Sequence, residues 1–362
     1  SISTAMPFAI KLYFELPKYQ SNQFNFSLSA SGFNVLIDPD VSSCSTLSTA
    51  NAVYTLTQNV SATETCFTVT GENVTLNGNG STVDYGTGDS SAVYGILINR
   101  ANSTTIKNIT VRTGKAFFDD GFFNQTITNK YAIYVLNANN ATIFNTNLAT
   151  NTSLSYVVYI SNSHKANITR NLISVTAIGD QPDNLGSQIA SSHAVFLLNS
   201  NDTIINENNI STVGQAGGDA IYVQAGLRLN ITNNIINKSG AFASGDEAIL
   251  LLAHNDSNIY SNTIIVGHVS SASAGIEINS AHNNSIYNNN ITTFAVSGSP
   301  GILFSNSIQN NIMNNSILTV GSSDIGISIT NTANFNNFEN INVSTSGSGA
   351  YGISFQSTSN NN

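Results

Sequence analysis

Acidic side chains that stand just before short apolar runs are the residues of this sequence best suited to chemistry. Asp219 lies in GGDAIYV, and Asp246 and Glu247 lie in GDEAILL one repeat later. Hydrolysis of a glycosidic bond needs two carboxyl groups at a controlled separation, one as the acid and one as the nucleophile or base. If the protein is an enzyme, Asp219, Asp246 and Glu247 are therefore the expected catalytic residues.

Two long segments carry further carboxylates. Residues 112–131 and 174–193 each add about 11 residues at the same place in a repeat, so we predict that they form two neighbouring lips of a glycan-binding cleft. Loops also accept insertions at little cost, which is the alternative without a function. The candidate binding residues of the lips are Asp119, Asp120, Asp180 and Asp183.

Metal binding has little support in the sequence. Asp119 and Asp120, together with loop carbonyl oxygens, could hold Ca²⁺, which takes six to eight oxygen ligands. Aspartate also starts turns when no metal is present, and this interpretation is favoured. The five histidines show no ligand spacing, and none pairs with a cysteine. No other metal and no organic cofactor are predicted.

The charge distribution narrows the range of partners and substrates. The chain has 11 Lys and Arg against 20 Asp and Glu, and its net charge is −9. Nucleic-acid binding needs clustered basic residues, so no nucleic-acid partner is predicted. All basic residues lie at or before Lys238, whereas lyases of acidic polysaccharides use Arg or Lys as base or clamp. A lyase site would have to lie near Arg100, Lys107, Arg112, Lys115 or Arg170.

An internal repeat determines which elements position these residues. Ten short apolar runs recur, and seven of the nine intervals between them are 25 to 28 residues long. Each run alternates apolar and polar residues and ends after four to six positions, which indicates strands and excludes helices. The runs begin at Gly95, Ala132, Val157, Ala194, Ala220, Ala248, Gly275, Gly301, Gly326 and Gly352.

A recurrent asparagine follows six of the runs, and an isoleucine stands two residues after it. Asparagine tolerates left-handed backbone conformations, so its recurrence indicates a recurrent tight turn. Stacked side-chain amides can also pair from one repeat to the next. We therefore predict an asparagine ladder of Asn171, Asn208, Asn234, Asn262, Asn289 and Asn315.

These patterns predict an all-β parallel β-solenoid of about ten or eleven coils, in which each repeat forms one coil. Residues 67–362, and the segment TGENVTLNGNGSTVDYG at 70–86 in particular, resemble the right-handed parallel β-helix family of the pectate-lyase-like and NosD-like kind. The resemblance implies a right-handed coil, but it hardly specifies function, because this fold hosts lyases, hydrolases, adhesins and structural proteins. With two methionines and no histidine cluster, the NosD resemblance implies the fold without metal delivery.

The resemblance to hydrolases is weaker. GDEAILL is similar to the Gly-Asp-Asp motif of polygalacturonase-like hydrolases. Their Gly-His-Gly motif should follow one coil later, where this sequence reads SASAGIEI, and their Arg-Ile-Lys motif is missing. These departures put a hydrolase reaction in doubt.

Both ends of the chain differ from the repeat. Residues 1–66 are predicted to form an N-terminal cap with a hairpin of 8–16 and 24–29, or part of a preceding domain, or a strand donated to another subunit. The two cysteines, Cys44 and Cys66, favour a disulfide over buried free thiols, because their number is even in an apparently exported chain. The last coil, GISFQSTSNNN, has no cap, so we expect that the chain continues or that another subunit stacks there.

Location and modification follow from composition. No window approaches the ~18 apolar residues of a membrane-spanning helix. The sequence has 19 Asn-x-Ser/Thr sites, and such sites on the outside of an exported protein can carry glycans. An extracellular, cell-surface location is therefore predicted. The candidate glycosylation sites are Asn73, Asn108, Asn124, Asn140, Asn151, Asn167, Asn201, Asn230 and Asn255.

Three functions remain open. The favoured one is a non-catalytic structural subunit or segment of an extracellular assembly, which is a filament, a sheath or an S-layer-like layer. Such a protein would polymerise with itself through end-to-end or strand-complementation contacts. The alternatives are a surface adhesin that binds glycans at the lip loops, and a polysaccharide-active hydrolase or lyase. Bacterial and archaeal surface proteins, including S-layer-like ones, are similar in their Asn, Ser and Thr content and in their use of this fold.

Overall fold

The computed structural model describes residues 39–88, 92–114, 129–152, 155–177, 192–214, 218–239, 247–267, 273–294, 298–356 and 362. The predicted hairpin of 8–16 and 24–29 lies outside these residues. So does most of the two predicted lips, 115–128 and 178–191.

One coil shows how the sequence produces the repeat. The strand Asn230–Thr232 is followed by a two-residue turn, the strand Ile235–Ser239, a longer connection and the strand Ile249–Asn255. In Ile235–Ser239 buried side chains alternate with more exposed ones, as period-two patterning requires. The next coil repeats this order, and each strand pairs in parallel with its counterpart one coil away.

The strands form three parallel sheets. Sheet 1 contains Asp40–Val41, Val53–Leu56, Thr75–Asn77, Thr105–Lys107, Thr142–Phe144, Asn167–Thr169, Ile204–Asn206, Asn230–Thr232, Asn258–Tyr260, Ser285–Tyr287, Asn311–Met313 and Asn337–Glu339. Sheet 2 contains Val60–Ser61, Thr82–Tyr85, Thr110–Thr113, Asn147–Thr150, Leu172–Ala177, Asn209–Gly214, Ile235–Ser239, Thr263–Gly267, Asn290–Phe294, Ser316–Thr319 and Asn342–Thr345. Sheet 3 contains Ser45–Leu47, Phe67–Val69, Val93–Asn99, Lys130–Leu136, Val158–Ser161, Val195–Leu198, Ile221–Leu227, Ile249–Asn255, Ile276–Asn279, Ile302–Ser305, Ile325–Thr330 and Tyr351–Phe355.

The predicted fold class is confirmed. The described residues form an all-β, right-handed solenoid. The sheets have 12, 11 and 12 strands, close to the ten or eleven coils expected from the repeat. The inward side chains are mostly Ile, Val and Leu, and they form one continuous core through the rod.

The predicted boundary at residue 67 is too late. Asp40–Val41 already pairs with Val53–Leu56 in sheet 1, and Ser45–Leu47 pairs with Phe67–Val69 in sheet 3. Residues 40–66 therefore belong to the solenoid. The repeat analysis missed these coils because their strands are only two to four residues long.

Cys44 and Cys66 form a disulfide, with their Cα atoms 4.6 Å apart. Cys66 is buried, and Cys44 packs against the core near the first strands of sheets 1 and 3. The cross-link closes a loop of 22 residues within these first coils. In the chain-entropy picture, such a loop contributes about 3 kcal/mol by restricting the unfolded chain.

The six predicted ladder asparagines form one buried column at the turn between sheets 1 and 2. The side-chain nitrogen of Asn208 donates to Oδ1 of Asn234, and that of Asn234 donates to Oδ1 of Asn262, each at 3.0 Å. The same Oδ1 atoms also accept the backbone N–H groups of Asn208 and Asn234. The column continues in the same way to Asn171 at one end and to Asn289 and Asn315 at the other.

The ladder residues are not themselves the left-handed residues of this turn, as the sequence pattern had suggested. The residue before each of them has the positive φ, between 53° and 57°. The ladder asparagine instead closes the turn with its side chain. The left-handed residues are Arg170, Glu207, Asn233, Ser261, Asn288 and Asn314.

A second, unpredicted ladder lies at the turn between sheets 3 and 1. The side-chain nitrogen of Asn284 donates to Oδ1 of Asn310 at 3.1 Å, and Asn310 donates to Asn336 at 3.0 Å. Asn336 in turn donates to Asn362 at 3.0 Å. The sequence signal was an asparagine directly before Ser285, Asn311 and Asn337, each of which begins a strand of sheet 1.

We predict that Asn234→Ala destabilises the rod by about 2–5 kcal/mol. The change leaves the carbonyl of Ile205 without its side-chain donor. It also leaves the backbone N–H and one of the two side-chain N–H groups of Asn208 without an acceptor in a buried site. The free energy of unfolding can be measured by equilibrium urea denaturation. The matched control is Asn209→Ala, which removes an exposed asparagine at the start of the strand Asn209–Gly214 in the adjacent coil and should change the free energy by less than about 0.5 kcal/mol. Equal losses in both variants would contradict a special role for the ladder.

Candidate functional site

Two of the three candidate catalytic residues, Asp219 and Glu247, lie at the corner where the chain passes from sheet 2 into sheet 3. We call this place the polar corner and define it by Ser155, His193, Asp219, Glu247 and Asp324. All five residues are at most 5% exposed. Each lies one to three residues before a strand of sheet 3; the first four are in successive coils, and Asp324 lies three coils after Glu247.

The structure brings Asp219 and Glu247 together, but not as two exposed carboxylates. Oδ1 of Asp219 accepts the backbone N–H of Glu247 at 2.6 Å, and both side chains are 3% exposed. A carboxylate that accepts a backbone N–H replaces water at a buried position and ties two coils together. The expected catalytic pair is therefore buried, and at least Asp219 has a structural hydrogen bond.

His193 is neutral in this corner. The backbone N–H of Asp219 donates to its Nδ1 at 2.9 Å, so Nδ1 carries the lone pair. The Asp219 carboxylate lies 3.4 Å from the same nitrogen, but this contact is not an ion pair while the ring is neutral. Burial, followed by the nearby charge of Lys238, lowers the pKa of His193 to about 3.

The other residues of the polar corner also accept backbone N–H groups from neighbouring coils. Oγ of Ser155 accepts the backbone N–H of Lys130 at 3.2 Å. Oδ1 of Asp324 accepts the N–H of Ser299 at 2.9 Å, and burial raises the pKa of the Asp324 carboxyl. Nζ of the buried Lys130 donates to the carbonyl of Gly86 at 2.6 Å. The described corner thus satisfies backbone groups, and it does not present acid and base to solvent.

Several predicted site residues lie outside the described residues. They are Asp119, Asp120, Asp180, Asp183, Asp246 and Asn124. The lip loops, a Ca²⁺ site in the first lip and a reaction at Asp246 therefore stay predictions. Among the residues that the structure does describe, no group of three or more His, Cys, Asp and Glu could hold a metal ion.

The sequence analysis missed two columns of aromatic rings on the outer side of sheet 3. In one column Tyr134 and Tyr159 stack with centroids 4.7 Å apart, and Phe196 and Tyr222 continue the stack at 5.0 and 4.9 Å. In the other, Tyr131 stacks on Tyr156 at 5.0 Å. The signal was visible in the apolar runs, which read YAIYVL, YVVYIS, HAVFLL and DAIYVQ from 131, 156, 193 and 219.

These rings stack on one another and therefore direct their edges outward. The planes of Tyr134 and Tyr159 differ by 1°, and those of Tyr159 and Phe196 by 5°, so neighbouring faces cover each other. A sugar ring that stacks on an aromatic face would find most of these faces occupied. Burial raises the pKa of Tyr134 to about 12, so its hydroxyl stays neutral. The columns stabilise sheet 3 and are not an open stacking platform.

The charged side chains on the turns form ion pairs between adjacent coils. Nε of Arg228 lies 2.6 Å from Asp202, and Nε of Arg170 lies 2.6 Å from Glu207. Such exposed pairs contribute little to stability. A third pair, Arg112 and Asp84 at 2.6 Å, lines an open cleft of about 470 Å³ with Ser61, Thr87, Thr113 and Gly114. This cleft adjoins the residues from which the first predicted lip begins.

The candidate glycosylation sites lie on turns and outward strand positions. Asn73 and Asn140 are exposed, and the remaining described sites are half-buried. Some side-chain nitrogens are already engaged: that of Asn108 donates to Asn77 at 3.1 Å, and that of Asn73 donates to Asn51 at 3.0 Å. A glycan on either nitrogen would replace one of its two hydrogens and leave a single N–H for this bond. The half-buried sites are Asn108, Asn151, Asn167, Asn201, Asn230 and Asn255.

The fold and corner define this chain as a parallel β-helix protein with polar ladders at its turns. A family model described as "Periplasmic copper-binding protein (NosD)" matches residues 175–319, which confirms the predicted resemblance to NosD-like β-helix repeats. The sequence matches no curated protein. Within the described residues no helix is long and apolar enough to cross a membrane.

Solved structures share the fold at low identity. The Dettilon tailspike protein is 17% identical with a TM-score of 0.64, over 88% of this chain and 61% of the tailspike chain. The catalytic domain of a GH87 α-1,3-glucanase in complex with nigerose is 14% identical with a TM-score of 0.53, over 90% of this chain and 63% of the glucanase chain. This chain therefore spans about three-fifths of each, and the likeness shows the fold alone.

We predict that the rod loses stability as the pH falls from about 6.5 towards 4. Burial lowers the pKa of His193 to about 3 and that of His254 to about 4, whereas an unfolded histidine titrates near 6.5. The unfolded chain therefore binds protons first, and His254 alone should account for on the order of 3 kcal/mol over this range.

Urea denaturation at a series of pH values measures this effect. His193→Gln and His254→Gln should each flatten the dependence of the unfolding free energy on pH. A wild-type slope that persists in the double variant His193→Gln, His254→Gln would contradict the assignment.

Proposed function

We propose that the protein is a non-catalytic structural segment of an exported cell-surface assembly, which is a filament, a sheath or an S-layer-like layer. The observation that carries the proposal is the engagement of buried polar groups in coil-to-coil bonds. Asp219, the best-placed candidate acid, accepts a backbone N–H in the polar corner. The asparagine ladders use their side chains in the same way.

We also propose an extracellular, cell-surface location, which is consistent with this role. The Cys44–Cys66 disulfide fits a compartment in which disulfides persist. The description of the NosD family as periplasmic also favours export. The sequons on outward turns are compatible with a glycoprotein, and end-to-end or strand-complementation contacts remain the proposed mode of polymerisation.

Electron microscopy of the native material tests the proposal directly. We expect rods joined into filaments or a lattice, and dispersed monomers would contradict it. Incubation with neutral and acidic glycans should release no reducing ends. Release of sugar that is lost in Asp246→Asn would instead support a hydrolase, whose site would then lie at a residue outside the described coils.

Glycan binding is the second candidate, because the Arg112–Asp84 cleft adjoins the base of the first predicted lip. Glycan arrays should show a signal that is lost when residues 116–128 are deleted, and Arg112→Ala should weaken it about tenfold, since charge-assisted hydrogen bonds to sugar oxygens are strong. The matched control is Arg228→Ala, which breaks a similar ion pair away from the cleft. Equal effects of both arginine variants would contradict a site at this cleft.

A further inference from the structure

From the strand Leu172–Ala177 onwards, the described outward positions of sheet 2 carry no charged residue. This surface begins at Leu172 and continues over seven coils to Asn342, whose strands pair in unbroken register. Its outward positions hold Ser, Thr, Asn and aliphatic or aromatic residues only. We call this surface the neutral face. The chain carries a net charge of −9, so the charges must lie on other surfaces.

Seven exposed large apolar side chains lie on the neutral face, and five of them form a diagonal patch, apart from Leu172 and Val213. Ile235 lies in the first outward column of sheet 2 and Ile265 in the second, one coil further on. Phe294 lies in the third column of the next coil, and Leu318 and Val320 follow beside it. These side chains are between 37% and 49% exposed. Uncharged polar residues surround them, which is the anatomy of an interface core with a polar rim.

We propose that the neutral face pairs side by side with the same face of a second copy of this chain. The inference rests on the proposed structural function and names the partner surface for it. Two copies with the same negative charge repel each other in most orientations. The neutral face lets them approach without that repulsion and buries apolar side chains against apolar side chains. An isologous contact of this kind needs only one self-complementary patch.

The chemistry of the face disfavours other occupants. A membrane surface recruits apolar residues flanked by Lys and Arg, and no basic residue follows Lys238. Lys238 lies on the strand Ile235–Ser239 but is buried, so an anionic partner would find no positive charge among the described outward positions of the face. Two sheets can pack face to face at about 10 Å with interdigitated side chains, which a flat, uncharged sheet permits.

The area of the neutral face determines how tightly two copies are expected to bind each other. Seven coils at about 4.8 Å, with three outward positions in each strand, give a footprint of roughly 500 Å². Standard stable interfaces bury about 800 Å² on each partner. We therefore expect weak, micromolar pairing of two isolated copies, which repetition along an assembly would strengthen.

The proposed pairing of two neutral faces also predicts which sequons carry no glycan. Asn209, Asn290 and Asn342 are sequons whose side chains lie exposed on this face. A glycan on any of them would hold two faces apart. We therefore expect all three to be unmodified in protein from the native source, as measured by glycopeptide mass spectrometry.

Sedimentation velocity of the full chain over a wide concentration range tests the pairing. The wild type should shift from monomer to dimer, and added NaCl should not weaken the dimer, because the contact is apolar and the repulsion is screened. Ile265→Lys and Phe294→Lys should weaken pairing at least tenfold, although each lowers the net negative charge. The matched control Ile204→Lys changes an isoleucine of similar exposure, 40%, on sheet 1 and should leave pairing intact.

Urea denaturation of each variant separates loss of pairing from loss of fold. The proposal is overturned if the wild type stays monomeric at all concentrations, if Ile204→Lys weakens pairing as much as Ile265→Lys, or if glycans occupy Asn290. Filaments that persist in the micrographs of Ile265→Lys and Phe294→Lys would overturn the lateral contact alone and leave the structural function standing. Dispersed monomers in the native material would instead overturn the structural function.

Discussion

The structure depends on the in-register bonding of each coil to the next. The buried polar groups of a solenoid coil can bond only to the adjacent coils. The donors and acceptors of each turn must therefore lie in register with those of the same turn one coil away. The asparagine ladders meet this requirement at two of the three corners, and the polar corner meets it with serine, histidine and carboxylate side chains. This constraint explains why the chain has many asparagines, few charged residues and small residues at its turns.

The fold could be predicted because the same constraint acts on every repeat. Alternating apolar runs at 25 to 28 residues and the recurrent asparagine indicated parallel strands and a ladder, and the structure shows both. The second ladder ending at Asn336 and Asn362 was missed, because only the last coils have an asparagine directly before the sheet 1 strand, where earlier coils have Thr203, Leu229 or Ser257. The first coils, before residue 67, escaped detection because strands such as Val60–Ser61 are too short to alternate.

The site was harder to predict than the fold. Asp219 and Glu247 have the residue types and spacing of catalytic acids, but sequence spacing does not reveal that their side chains turn into the corner. The aromatic residues of the columns, such as Tyr134 and Tyr159, could be recognised in the apolar runs. Whether their ring faces are covered or open for binding depends on ring orientation, which only the three-dimensional structure shows. The same residue types could have formed an open binding surface if the rings had tilted.

The asparagine ladders also give the rod a direction. In every rung the side-chain nitrogen donates to the oxygen of the following coil, and none of the ladder bonds runs the opposite way. The amide dipoles therefore align head to tail along the axis, as the peptide dipoles of a helix do. One end of such a column presents acceptors and the other presents donors. Coils that continue the ladders across a junction must join head to tail, so any fibre built in this way has two chemically different ends.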